Sequence, residues 1–260
     1  MFGLGKKKQE KQNKKQLTYI TPEGTVYQPY LDMVKHNHLL IAGSTGSGKS
    51  VTIHGIITSL LMTESPVRAQ FLLLDPKRVE LNCYEHLPHI VEYADTQNTM
   101  IGALEYAVEE TERRFSIMKQ NHEKYFSGST LYVIIDEIAD LMTTCKSKVL
   151  PLLQRLLQLS RAAGVRVIAA SQTVHYTVLP TTLKCNFSVV LGLRTANANQ
   201  SRYLVDCSGC ELLPNPKKAG KAFGILRDGA DAEKISLYMY PDAEISRIIN
   251  HWTDKRRCIK

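Results

Sequence analysis

The segment Gly43-Ser-Thr-Gly-Ser-Gly-Lys-Ser50 constrains the fold more than any other part of the sequence. It matches the pattern GxxxxGK[ST] and lies between an apolar run, residues 38–43, and an apolar helical segment, residues 50–62. Glycines let backbone N–H groups turn towards a phosphate, and the amino end of the following helix adds positive potential. The four fixed positions arise by chance in roughly one chain of this length in a hundred. The segment therefore predicts the phosphate-binding loop of a nucleotide site.

This loop also predicts which residues contact the nucleotide. Lys49 is expected to reach the β- and γ-phosphates, and the Ser50 hydroxyl is expected to bind Mg²⁺. The predicted nucleotide-binding residues are Gly43, Ser44, Thr45, Gly46, Ser47, Gly48, Lys49, Ser50 and Val51.

Two adjacent carboxylates end an apolar strand in LYVIIDEIADL, residues 131–141. An unpaired buried charge is costly, so these side chains either have partners or face a site. In a phosphate-loop protein an acid at the end of a neighbouring strand holds Mg²⁺, and Asp136 fits this role. Glu137 is placed to orient and deprotonate an attacking water, which makes hydrolysis the expected reaction. The alternative is that both acids merely cap the following helix.

A polar residue also follows the apolar run at residues 165–171, where Gln172 is next in the chain. A glutamine at the end of a strand is by itself an ordinary loop residue. Because a phosphate loop and an acid pair accompany it, we expect Gln172 to sense the γ-phosphate or the attacking water.

Short apolar runs alternate with helical segments along the chain. This order predicts an α/β fold with a mostly parallel sheet covered on both faces by helices. We expect a flexible basic arm over residues 1–16 and a single domain over residues 17–260. The predicted strands are 38–43, 70–75, 131–136, 165–171 and 187–193, with a hairpin in 221–240; the predicted helices are 50–62, 99–125, 148–164 and 241–252.

The net charge of +8 resides at the two ends of the chain. Residues 1–16 carry +5 and the last six residues carry +4, so the rest of the chain is close to neutral. Such ends bind nucleic acid or anionic lipid, or are simply solvated. No apolar run approaches the roughly 18 residues of a membrane span, and no secretory signal is evident, so a cytoplasmic location is expected. Cys207 and Cys210 form a lone CxxC, for which a metal or redox role is not expected.

Further motifs extend this pattern over about residues 30–210: LLLDPKRVELNCYEHLPHI (72–90), ALEYAVEETERRFSIM (103–118), IIDEIADLM, SRAAGVRVIAASQ and NQSRYLVD. In this order the chain resembles the motor domain of the FtsK/SpoIIIE family of DNA translocases. The resemblance implies a RecA-like P-loop NTPase with a mostly parallel central sheet flanked by helices. It also implies ATP as the nucleotide and a ring of identical chains, usually a hexamer, around double-stranded DNA.

In such rings an arginine from the neighbouring subunit stabilises charge in the transition state. The resemblance favours Arg161, in SRAAG, for this role, with Arg202, in SRYLVD, as the second candidate; either one is otherwise an ordinary surface arginine. Asp75 and Lys77 are expected either to couple the nucleotide state to the ring or, by slight preference, to pair with each other.

The sequence departs from the family after residue 210. Chromosome-segregating members carry Leu-Leu-Gly-x-Gly-Asp-Met-Leu, where this chain reads LLPNPKKAGKAFGIL, and neither a membrane anchor nor a winged-helix module is evident. We therefore expect a motor that serves DNA transfer, segregation or packaging of a plasmid, phage or other mobile element. A relaxase, replication or membrane-channel protein of that element is the expected partner, and it could recruit the chain to the membrane.

Two alternatives remain from the sequence alone. A related ATPase that drives protein secretion would respond to a polypeptide and not to DNA. A nonmotor adaptor would use ATP only to gate recruitment, but the intact acid pair argues against it.

Overall fold

An eight-stranded sheet forms the centre of the computed structural model, which describes residues 18–21, 24–27, 37–219 and 221–258. The expected arm over residues 1–16 lies outside these residues, and the division into an arm and one domain stays a prediction. The strands are β1 Thr18–Thr21, β2 Gly24–Tyr27, β3 Leu39–Ala42, β4 Ala69–Leu74, β5 Ile90–Ala94, β6 Thr130–Ile135, β7 Val165–Ser171, β8 Val189–Gly192, β9 Ala222–Asp228 and β10 Asp231–Leu237. The helices are α1 Lys49–Thr63, α2 Gln97–Asn121, α3 Ile138–Thr144, α4 Lys146–Leu159, α5 Thr181–Lys184, α6 Ala198–Val205, α7 Pro216–Ala219 and α8 Asp242–Cys258.

The strand order is β10-β9-β8-β3-β7-β6-β4-β5. Every pairing from β8 to β5 is parallel, whereas β9 and β10 add an antiparallel hairpin at one edge. The predicted mostly parallel α/β sheet is therefore confirmed. A separate antiparallel pair, β1 and β2, precedes the sheet in the chain.

Both faces of the sheet are buried. In β3, Leu39 and Ile41 pack with α1 and α8 on one face, while Leu40 and Ala42 pack with α2, α3 and α4 on the other. Strands buried on both faces are apolar at successive positions, which explains the uninterrupted apolar runs in the sequence.

One helix is shorter than its sequence pattern predicts. The expected helix 148–164 begins at Lys146 but ends at Leu159, and the chain then turns before β7. The buried Arg114 of α2 donates hydrogen bonds to the carbonyl oxygens of Ala163 and Gly164, at 3.0 and 3.2 Å. These carbonyls are bound outside any helix, and Gly164 has a φ of 71°, which interrupts helical geometry.

Parallel strands bring all their carboxyl ends to one edge of the sheet. The segments that follow β3, β4, β6, β7 and β8 therefore lie together there, although long stretches of sequence separate them. This edge is the place where a doubly covered α/β sheet commonly binds its ligand. No helix within the described residues combines the length and apolarity that a bilayer crossing requires.

Candidate active site

The loop between β3 and α1 is tied to both neighbouring strands. The backbone N–H of Gly43 donates to the Ser171 carbonyl at 3.2 Å, and that of Ser44 donates to the Arg194 carbonyl at 2.8 Å. A Cβ on Gly43 would lie 2.8 Å from the Cβ of Leu193, so only glycine fits against the strand end. Gly48 has a φ of 102°, in the left-handed region that side chains rarely adopt. These constraints curve the loop over the amino end of α1.

Lys49 lies beneath this loop with only 7% of its surface exposed. Its Nζ donates to the Gly43 carbonyl at 3.1 Å. Burial lowers the pKa of this ammonium from its ordinary value, and the nearby Glu137 and Asp136 carboxylates oppose that shift. The buried Ser47 hydroxyl has no hydrogen-bond partner among the described residues. A loop with a buried cation and an unpartnered hydroxyl fits a bound polyphosphate.

The acid pair follows β6 in the middle of the same edge. Asp136 is buried; its burial and the Asp75 carboxylate raise its pKa to about 6, while Lys77 opposes the increase. A divalent cation at this carboxylate would reverse the effect of burial, since it favours the charged form. Ser50 and Asp136, with phosphate oxygens and water, fit the few protein ligands that Mg²⁺ usually takes. No group of three or more potential His, Cys, Asp or Glu ligands occurs among the described residues.

Glu137 makes specific contacts with the next strand. It is 3% exposed, and its Oε1 and Oε2 accept from the backbone N–H of Gln172 at 3.0 and 3.2 Å. Glu137 occupies the N-cap position of α3, yet its side chain makes no capping hydrogen bond. The capping alternative therefore fails for Glu137, because its carboxylate binds the backbone that follows β7.

Gln172 connects the acid pair to the phosphate loop. Its Oε1 accepts a hydrogen bond from the Thr45 hydroxyl at 3.0 Å, while its backbone contacts Glu137. The side chain thus lies where a polar group could respond to occupancy of the loop.

A cavity of about 400 Å³ opens over the loop, within the size range of nucleotide and other small-molecule sites. The phosphate loop and Gln172 line part of this cavity, and Pro216, Lys217 and Met239 form a second wall. Sequence reasoning missed that wall, although the departure LLPNPKKAGKAFGIL contains two of its residues. Sequence reasoning also missed Arg194, which lines a smaller neighbouring cavity beside the loop.

The structure does not bring the two candidate arginines to this cavity. Arg161 precedes β7 and donates to the Asn37 side chain at 3.2 Å, at the amino edge of the sheet. Arg202 is an exposed residue of α6 whose guanidinium lies 3.4 Å from the Asn199 side-chain oxygen. Neither is among the residues that line the cavity of its own chain.

The preferred pairing of Asp75 with Lys77 is wrong. Asp75 Oδ2 accepts from the Leu81 N–H at 2.9 Å and from the Tyr93 hydroxyl at 3.2 Å. Lys77 forms its ion pair with Glu137 at 3.4 Å. The backbone turn after β4 directs the two neighbouring side chains to different partners.

Cys210 of the CxxC is part of the hydrophobic core, and its thiol donates to the Gly192 carbonyl at 3.6 Å. Burial raises the pKa of this thiol to about 11, which keeps it protonated at neutral pH.

Relatives of known family match this chain in sequence. The profile of the FtsK/SpoIIIE family matches residues 4–128. The DNA translocase FtsK of Oceanobacillus iheyensis is 31% identical over 246 residues, which are 87% of this chain and 31% of the relative. That of Lactiplantibacillus plantarum is 36% identical over 202 residues, which are 70% of this chain and 25% of the relative. This chain is similar to the FtsK/SpoIIIE family. It spans less than a third of the length of these FtsK relatives.

Solved structures show the same fold as this chain. The conjugation coupling protein TcpA of pCW3, determined with ATPγS, gives a TM-score of 0.73 at 23% identity, covering 88% of this chain and 67% of TcpA. EssC (ATPases 2 and 3) from Geobacillus thermodenitrificans gives 0.72 at 14% identity, covering 93% of this chain and 48% of EssC. The predicted P-loop fold is therefore confirmed.

Proposed function

We propose that this chain is an ATPase that converts ATP hydrolysis into movement along double-stranded DNA. One observation carries the proposal: Lys49, the β6 acid pair and Gln172 converge at the carboxyl edge of the sheet, beside a cavity of nucleotide size. Similarity to DNA translocases named FtsK supports DNA as the polymer that is moved.

The loop residues 43–51 hold the triphosphate of ATP through their backbone N–H groups. Lys49 contacts the β- and γ-phosphates from beneath, where its burial strengthens the electrostatic attraction. Ser50 and Asp136 are the residues that would hold Mg²⁺, and the ion would neutralise charge on the phosphate oxygens.

Glu137 orients the attacking water and accepts its proton. The N–H of Gln172 fixes this carboxylate, so the base is positioned before the water binds. The Gln172 side chain, bonded to Thr45, detects whether the γ-phosphate occupies the loop.

A second subunit completes the site. Arg161 lies at the amino edge, far from its own loop, so it can reach a phosphate only in a neighbouring chain. We propose that it acts in trans within a homo-oligomeric ring, with six subunits as the expected number; Arg202 is the second candidate. An arginine supplied in this way typically accelerates phosphoryl transfer by about 10³- to 10⁵-fold.

ATP turnover with and without long double-stranded DNA tests this proposal, measured at low and high salt with Glu137→Gln as the inactive control. DNA should stimulate turnover strongly, and the stimulation should decline with salt because phosphate contacts release counterions. Robust turnover that is indifferent to DNA would instead favour an ATPase that moves protein. Slow turnover that no polymer stimulates would favour the adaptor.

The biological process is part of the same proposal. We propose a cytoplasmic motor for DNA transfer, segregation or packaging of a mobile element, recruited by a relaxase, replication or membrane-channel protein. The Pro-Asn-Pro-Lys-Lys segment supports this, since it is the stretch where the sequence departs from the family pattern and its Pro216 and Lys217 line the cavity.

A further inference from the structure

We propose that Lys77 is the positioning residue for Glu137, holding this carboxylate in the orientation from which it accepts a proton from water. The inference rests on the proposed function, because it concerns how the hydrolytic base is held. Lys77 itself needs no contact with ATP for this role.

The contacts of Glu137 define that orientation. Gln172 N–H binds both carboxylate oxygens, and Lys77 Nζ lies 3.4 Å from Oε2. Gln172 approaches from β7, whereas Lys77 approaches from the turn after β4, on the other side of β6. Two partners on opposite sides restrict rotation of the carboxylate about its side-chain bonds.

The contacts still leave Glu137 able to act. A carboxylate offers about four lone-pair positions, and the observed contacts occupy three of them. One position therefore stays open for a water molecule. For this reason the arrangement supports positioning rather than blocking of the base.

The turn that carries Lys77 is itself braced. The fully buried Asp75 accepts from the Leu81 N–H at 2.9 Å, which closes the turn from within. Arg78 adopts a φ of 59°, which is uncommon for a residue other than glycine. Its guanidinium pairs with Asp95 at 3.2 Å, after β5. A backbone held in an unfavourable conformation by partners on both sides indicates a constrained function for the intervening side chain.

Lys49 does not duplicate this role. The Lys49 ammonium donates to the Gly43 carbonyl, inside the phosphate loop. Among the described residues, Lys77 is the cation that lies within ion-pair distance of Glu137. Lys77 is also 37% exposed along its side chain, so its replacement leaves the core intact.

Single-turnover ATP hydrolysis by Lys77→Met, measured on the full chain without DNA, tests the inference together with the affinity for a fluorescent nonhydrolysable ATP analogue. We expect the rate constant to fall about 10- to 100-fold, the scale associated with displacing a catalytic group by about 1 Å. The affinity should stay within about twofold of wild type, because binding does not use Glu137. Lys77→Arg keeps the charge and should recover most of the rate, while the exposed Lys148→Met serves as the matched control.

A double-mutant cycle then separates positioning from structural support. Lys77→Met should lower the residual single-turnover rate of Glu137→Gln little further, since residues that act through one group are not additive. An equal loss in both backgrounds would overturn the inference, as would a wild-type rate in Lys77→Met. A rate above wild type would overturn it too, because Lys77 would then restrain the base. Lys77→Gln carries the same expectations if the methionine variant does not fold.

The same variants distinguish failure of the proposed function from failure of the inference about Lys77. If Glu137→Gln alone hydrolyses ATP at the wild-type rate, Glu137 is not the base and the proposed chemistry is wrong. If Glu137→Gln is inactive and Lys77→Met is fully active, only the inference about Lys77 is wrong.

Discussion

Arg114→Ala should destabilise the protein more than almost any other single charge removal. Arg114 is 1% exposed and pairs with Glu110 at 2.7 Å. It also donates to the Ser129 carbonyl at 2.7 Å and to the Ala163 and Gly164 carbonyls at 3.0 and 3.2 Å. One buried guanidinium therefore joins α2 to the two loops that lead into β6 and β7.

The magnitude follows from these contacts. Glu110 keeps a second partner, Arg113, and the Gly164 carbonyl still accepts from the Leu131 N–H at 2.9 Å. The main loss therefore comes from the Ser129 and Ala163 carbonyls, which lose the Arg114 donor at about 1–3 kcal/mol each. Removing one partner of a buried ion pair costs about 3–5 kcal/mol, and we expect the total free-energy loss in that range. For a domain of this size the corresponding decrease in Tm is roughly 6–20 °C.

Arg113→Ala is the matched control. Arg113 binds the same carboxylate at 2.6 Å, but its side chain is 59% exposed, so its removal should cost about 1 kcal/mol or less. Urea unfolding followed by circular dichroism measures both variants against wild type. If the two variants lose the same small amount of stability, the buried contacts of Arg114 do not contribute as argued.

Three further predictions concern pH, the phosphate loop and the ring. Burial, with Arg166 and Arg161 nearby, lowers the pKa of His38 from 6.5 to about 3. The neutral imidazole therefore contributes fully to stability above pH 6.5, and this contribution is lost as the pH falls from 6.5 towards 3. Between pH 6.5 and 5 the loss in free energy of unfolding is about 2 kcal/mol. In urea titrations at several pH values, His38→Asn should lose correspondingly less stability in acid. The same loss as in wild type would contradict this role of His38. In Gly48→Ala the alanine must adopt a φ of 102° with its Cβ 3.2 Å from Ala222. Calorimetry should therefore detect at least tenfold weaker ATP binding, and an unchanged affinity would contradict this prediction. Arg161→Ala and Lys49→Ala should each abolish turnover, but mixing the two proteins should restore part of it; no recovery in mixed oligomers would contradict action in trans.

The sequence predicts the strands beside the site because their burial is uniform. β3, β4, β6 and β7 are apolar at successive positions, and their predicted limits lie within about two residues of the observed ones. β5 was not predicted, because it is an edge strand whose five residues include the exposed Val91 and the polar Glu92. The end of α4 also depends on a distant side chain, Arg114, which no local pattern reveals.

Some contacts in the site could likewise be predicted from the sequence and others could not. The loop, Asp136, Glu137 and Gln172 follow predicted strands, so their proximity at the carboxyl edge was foreseeable. The contact of Lys77 with Glu137 was not, because it requires that β4 lie beside β6 in the folded sheet. The cavity wall of Pro216, Lys217 and Met239 likewise arises from elements that meet only in the folded chain.

Displacement of a labelled third strand from a DNA triplex tests the central claim most directly, because it reports movement along the duplex and not hydrolysis alone. With ATP and Mg²⁺, the wild-type protein should displace the strand on long duplexes at low salt. Glu137→Gln, which retains the phosphate loop, should not displace it. Hydrolysis of ATP at a high rate without displacement under these conditions would contradict the account.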